Sequence, residues 1–191
     1  MLAQRCLFKE LMSVYASLPN LITLARLGLV PVVIAMISAE RWPEACVLFI
    51  LAGISDAVDG WLAKSFNLRT ELGAYLDPLA DKALLVSIYV ALAVGGALPS
   101  TLAIVVVARD VMIIGAFMVS WFMDKRIKIR PLLISKINTV VQIAFAAAVL
   151  GAKAFHFALL PRFDLAVYGV AALTLASLAA YLASWSRHMS L

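Results

Sequence analysis

Asp56-Ala-Val-Asp59-Gly60-Trp-Leu-Ala63-Lys64, eight further residues, then Gly73-Ala-Tyr-Leu-Asp77-Pro-Leu-Ala-Asp81 is the stretch on which the reading of this chain turns. Two pairs of aspartates stand among apolar residues. Each would cost about 2.5–3.5 kcal/mol at the centre of a bilayer. A helix turns about 100° per residue, so Asp56 and Asp59 lie about 60° apart on one face, and Asp77 and Asp81 about 40° apart on another. If the two helices pack antiparallel, four carboxylates converge. Hard divalent cations take oxygen ligands, and Mg²⁺ favours carboxylates together with substrate phosphates. Four carboxylates suit two ions, which can clamp a diphosphate and stabilise its displacement. Gly60, Ala63 and Gly73 leave a wall of small residues beside them, wide enough for a nucleotide.

The surrounding composition names the solvent. Of 191 residues, 64% are hydrophobic, and the mean hydropathy is +1.01. Soluble domains hold about 45–50% apolar residues. Six apolar segments can be drawn near 20–39, 43–64, 73–95, 98–122, 133–153 and 163–186, each long enough to cross a bilayer. The expected fold is therefore an all-α integral membrane protein with six transmembrane helices. Residues 1–18 mix Arg5, Lys9 and Glu10 with apolar residues, which predicts an N-terminal amphipathic surface helix rather than a cleavable signal. The membrane domain then covers 19–191, with no internal repeat or linker.

Charge and cysteine usage narrow the classes further. A net charge of +5 could suit nucleic acid, but the basic residues are scattered over helix ends and loops, and no nucleic-acid partner is expected. Lysine and arginine crowd one side, with Arg5, Lys9, Lys64, Arg69 and the 125–130 loop. They are sparse on the other, with Arg41, Lys153 and Arg162. That bias predicts both termini and the aspartate motif on the cytoplasmic side. Cys6 and Cys46 are separated by a span and are expected as free thiols. His156 and His188 read as interfacial side chains. Lys64, Lys82 and Arg109 are too few and too scattered to neutralise four aspartates, so simple pairing with basic residues is the weaker reading. A cation or solute transporter also uses intramembrane carboxylates, but it usually shows matching broken helices in its two halves. Residues 98–191 hold no counterpart of the motif.

The pattern D-x2-D-G-x2-A-R-x8-G-x3-D-x3-D resembles the signature of the CDP-alcohol phosphatidyltransferase family. Asp56, Asp59, Gly60, Ala63, Gly73, Asp77 and Asp81 match it at the right spacing. Lys64 stands where arginine is usual, keeping the charge but losing a bidentate fork to phosphate. The resemblance covers about residues 19–150 and implies six spans, a homodimer and a cytoplasm-facing cavity. It also implies transfer of phosphatidyl from CDP-diacylglycerol to an alcohol, releasing CMP. By that resemblance Asp56, Asp59, Asp77 and Asp81 ligate two Mg²⁺ or Mn²⁺ ions, and Asp81 also serves as general base on the acceptor hydroxyl. Gly60, Ala63, Lys64 and Gly73 hold the cytidine diphosphate. Asn20 and Thr23, in the run that opens the first helix with Arg26, either cap that helix or join the nucleotide site. The last helix adds nothing specific.

Three features bear on the acceptor. Arg109-Asp110 sits mid-segment and forms either an internal ion pair or a guanidinium site for a lipid phosphate. Ser135, Asn138, Thr139 and Gln142 make a polar stripe at i, i+3, i+4, i+7. It serves either helix–helix hydrogen bonding or, with Lys136, a wall of the acceptor site. The segments around Tyr75–Lys82, Arg109 and Ile134–Gln142 resemble the CMP-forming, eukaryote-like cardiolipin synthase branch, whose acceptor is phosphatidylglycerol. The phosphatidylglycerophosphate synthase branch, with glycerol 3-phosphate as acceptor, shares much of this but tends to have lysine where Asn138 stands. A bacterial cytoplasmic membrane is the expected location.

Overall fold

In the computed structural model the described residues are 21–65, 71–122, 133–157 and 163–189, and all regular structure among them is helical. The helices are α1 (Leu21–Ser38), α2 (Trp42–Ser65), α3 (Glu71–Val94), α4 (Ser100–Phe122), α5 (Leu133–Ala154) and α6 (Phe163–Met189). Their bounds follow the six apolar segments closely. Lys64 and Glu71 are helical residues of α2 and α3. The segment 1–18, Asn20 and the basic 125–130 loop lie outside the described residues. Three helices are long and apolar enough to cross a membrane among the described residues: α1, α5 and Phe163–Ser184 of α6.

The chain divides into two compact units, Met1–Ser87 and Ile88–Leu191. In the first, α1 buries Thr23, Arg26, Val33 and Ile37, a spacing that keeps to one face of a helix. Its opposite face exposes Leu24, Leu27, Val32 and Ile34. α2 buries Ala45, Cys46, Phe49 and Ala52, and Cys46 is a free thiol. Arg41 clips the start of α2 by donating to Glu44 Oε1 from Nε at 3.0 Å and Nη2 at 2.7 Å. Pro78, one residue after Asp77, lies inside α3, where proline cannot donate the usual backbone bond one turn back.

In the second unit α6 packs against both α4 and α5, and polar side chains share the interior with apolar ones while aliphatic side chains cover the outside. The buried face of α5 is Asn138, Gln142, Ala146, Val149, Leu150 and Ala154. Ile137 is 56% exposed and Val140 64% exposed on the other side. α6 repeats this, with Thr174 and Ser177 fully buried and Leu165, Tyr168 and Leu175 exposed. Polar groups inside and aliphatic groups outside is the arrangement for which hydrocarbon is the solvent.

Among the described residues, three helices end on a residue in the left-handed region. Gly96 has φ +68° after α3, Glu40 φ 57° after α1 and His156 φ 53° after α5. Around Gly96 the Ala97 N–H donates to Leu92 O at 2.8 Å and the Gly96 N–H to Ala93 O at 3.1 Å, the paired bonds of a Schellman cap. The Arg41 N–H to Met36 O bond at 2.9 Å and the Phe157 N–H to Ala152 O bond at 3.0 Å repeat the outer bond at the other two ends. Glycine bears this φ at no steric cost, whereas a residue with a Cβ is disfavoured by about 1–2 kcal/mol. Glu40→Gly should therefore raise, and Gly96→Val lower, the thermal unfolding temperature in detergent, read by tryptophan fluorescence. An unchanged midpoint in both would remove these caps from the account of stability.

Candidate functional site

The four aspartates all fall in the first unit. Asp56 and Asp59 are one turn apart on α2, and Asp77 and Asp81 one turn apart on α3. The side chains of Asp59, Gly60, Ala63, Lys64, Gly73, Asp77 and Asp81 lie outside the described residues. That of Asp56 is described. Arg26 Nη1 of α1 reaches Asp56 Oδ1 at 2.6 Å, with the arginine side chain 1% exposed and the carboxylate 44% exposed. The sequence reading sought counter-charges in Lys64, Lys82 and Arg109 and passed over Arg26, which one helical face carries to α2. Thr23, one turn before it, is buried at 2% exposure.

Asp56 suits a hard cation. Its ligating atoms are carboxylate oxygens, its exposed portion is open to a further ligand, and its helix neighbour of the same type lies one turn on. Among the described residues no group of three or more potential metal ligands assembles. The arrangement that a dinuclear site needs would have to include the side chains at 59, 77 and 81.

The residues assigned above to the acceptor lie in the second unit, and they divide. Arg109 and Asp110 are both 1% exposed and joined at 2.5 Å through Nη1 and Oδ1. Side chains at i and i+1 ordinarily point apart on a helix, so the long guanidinium folds back to meet its neighbour. Arg109 Nη2 donates to Ser135 Oγ of α5 at 2.5 Å and to Ser177 Oγ of α6 at 3.0 Å. Arg109 Nε has no hydrogen-bond partner among the described residues.

The polar stripe on α5 continues this network. Gln142 Nε2 donates to Thr174 Oγ1 at 3.1 Å. That hydroxyl stands 3.0 Å from Asn138 Oδ1 and 2.7 Å from Val170 O, and its single proton can serve only one of them. Tyr89 Oη donates to Gln142 O at 3.0 Å. Thr139 donates back to Ser135 O in its own helix at 3.1 Å. Asn138 Nδ2 and Gln142 Oε1, both fully buried, have no partner among the described residues. Lys136 is not brought together with Asn138 and Gln142: two positions along the helix turn it to the exposed side. Thr174 and Ser177 of α6 were missed in the sequence. The signal was present, since two hydroxyl residues at i, i+3 in an apolar helix need an acceptor or donor across the interface.

The sequence model of the CDP-alcohol phosphatidyltransferase family matches residues 16–184. The chain belongs to this family. It is similar to a human protein named "Cardiolipin synthase (CMP-forming)", at 35% identity over 158 residues, covering 74% of this chain and 52% of that protein. It is also similar to the Bacillus subtilis (strain 168) CDP-diacylglycerol–glycerol-3-phosphate 3-phosphatidyltransferase, at 34% identity over 168 residues, covering 80% of this chain and 86% of that one. A chloroplastic rice protein of the latter name is 35% identical over 153 residues, 71% of this chain and 46% of its own length. The chain thus spans about half the length of the human relative.

A buried ion pair that loses one member leaves an uncompensated charge, at a cost of about 3–5 kcal/mol. Asp110→Ala should lower stability by about that amount. The double variant Arg109→Met with Asp110→Leu should recover most of it, since a well-packed apolar pair often equals a buried salt bridge. Thermal unfolding of both in micelles checks this. Equal losses in the single and double variants would show that the pair is not the source.

Proposed function

We propose that the chain is a CMP-forming phosphatidyltransferase that moves phosphatidyl from CDP-diacylglycerol to phosphatidylglycerol, giving cardiolipin. The observation that carries the reading is family membership over 16–184 together with an intact set of four aspartates at the family spacing. Asp56, Asp59, Asp77 and Asp81 would hold two Mg²⁺ or Mn²⁺ ions, which would offset charge on the diphosphate and on the departing CMP. Asp81 would also accept the proton of the acceptor hydroxyl. The freed oxygen attacks the phosphorus that carries diacylglycerol, the diphosphate P–O bond breaks, and CMP leaves with that electron pair. Gly60, Ala63 and Gly73 would admit the cytidine diphosphate, Lys64 would contribute charge to it, and Asn20 and Thr23 would border it. Arg109, Lys136, Asn138 and Gln142 would serve the acceptor. The buried hydrogen bonds of Arg109, Asn138 and Gln142 would hold α4, α5 and α6 in register for that role.

Six spans, a surface helix over 1–18, both termini and the site in the cytoplasm of a bacterium, and a homodimer complete the proposal. The polar-in, apolar-out distribution and the asymmetry of lysine and arginine support it. The second reading, transfer to glycerol 3-phosphate, is favoured by the similarity to the Bacillus subtilis protein. The neutral Asn138 supports the first, because a phosphodiester acceptor carries less charge than a phosphomonoester.

Purified protein in mixed micelles with CDP-diacylglycerol and Mn²⁺ should release CMP when phosphatidylglycerol is offered and not with glycerol 3-phosphate. Release only with glycerol 3-phosphate would replace the acceptor, and no release with either would defeat the proposal. EDTA should abolish turnover, and Mg²⁺ or Mn²⁺ should restore it. Asp81→Asn should remove turnover while CDP-lipid binding stays measurable, whereas normal turnover in that variant would end the general-base assignment.

A further inference from the structure

Arg26 is among the largest fully buried side chains of the protein, yet the carboxylate it grips is nearly half exposed. That asymmetry limits what the guanidinium can do. At 1% exposure it offers little surface to a diphosphate, so contact with substrate is not its task. Neutralising Asp56 calls only for a positive charge within reach, and a lysine would supply that as well. What a sequestered guanidinium does supply is direction. It is planar, always charged, and its donors are fixed in a rigid fork. Arg26 lies on the same buried face of α1 as Thr23 and Val33, so its stem is enclosed and its head is held toward α2. From there it grips Asp56 Oδ1 at 2.6 Å. The carboxylate is held by one oxygen and retains exposed surface.

We infer that Arg26 is a positioning residue, which holds Asp56 in the orientation from which it takes a divalent cation. This rests on the reading of Asp56 as a metal ligand given under the proposed function. Groups that hydrogen-bond to a ligating carboxylate orient it, and their loss typically lowers metal affinity or activity by about 10–100-fold.

The test is direct binding of Mn²⁺ alone to the full chain in detergent micelles, followed by electron paramagnetic resonance with no lipid substrate present. Arg26→Met should bind Mn²⁺ about tenfold more weakly than wild type or worse. Arg26→Lys should fall between them, since an ammonium restores charge without the fork. In turnover the Mn²⁺ concentration for half-maximal rate should rise in both variants, while kcat at saturating Mn²⁺ returns toward wild type. Arg26→Met that elutes and unfolds as a folded protein but binds Mn²⁺ as tightly as wild type overturns the inference and leaves the metal reading standing. Should Arg26→Met not fold, Arg26→Lys decides: weaker binding than wild type upholds the inference, and wild-type affinity overturns it. Wild-type protein that binds no Mn²⁺ removes the metal reading itself and the inference with it.

Discussion

A charged group inside an apolar helix bundle has to be met by another group, and both units of this protein are organised around that demand. In the first, Arg26 and Asp56 join α1 to α2 across 2.6 Å. The guanidinium is enclosed while the carboxylate remains open to a ligand. The ion pair therefore does two things at once. It makes a buried cation tolerable, and it leaves the Asp56 side chain 44% exposed.

The second unit solves the same problem without an opening. Arg109, Asp110, Ser135 and Ser177 form one buried cluster, and Asn138, Gln142 and Thr174 another. Together they tie α6 to α4 and α5. In lipid the exterior of a helix is as apolar as its surroundings, so aliphatic contact alone gives little reason for helices to associate, and interhelical hydrogen bonds contribute to specificity. The donors and acceptors left over on Arg109, Asn138 and Gln142 mark a seam built from a few long polar side chains rather than one that matches every group.

Exposure follows from the same constraint. α1, α5 and α6 turn leucine, isoleucine and valine outward, which would be an association hazard in water and is the lowest-energy face in a bilayer. The caps at Glu40, Gly96 and His156 close helix ends with backbone bonds, so that terminal carbonyls are satisfied before the chain turns back.

Hydropathy alone determined the helical class and the helix bounds to within a few residues, and the resemblance of the aspartate motif to a known signature pointed to the family, because all three rest on local order along the chain. The aspartates at 56, 59, 77 and 81 are legible for the same reason: an expensive residue type at fixed intervals is visible without knowing what faces it. The partners were not legible. Nothing in the order of residues says that Arg26 meets Asp56, that Thr174 meets Asn138 and Gln142, or that Ser177 meets Arg109. Those depend on which faces of helices far apart in sequence come together, and helical rotation and packing in the tertiary structure decide that.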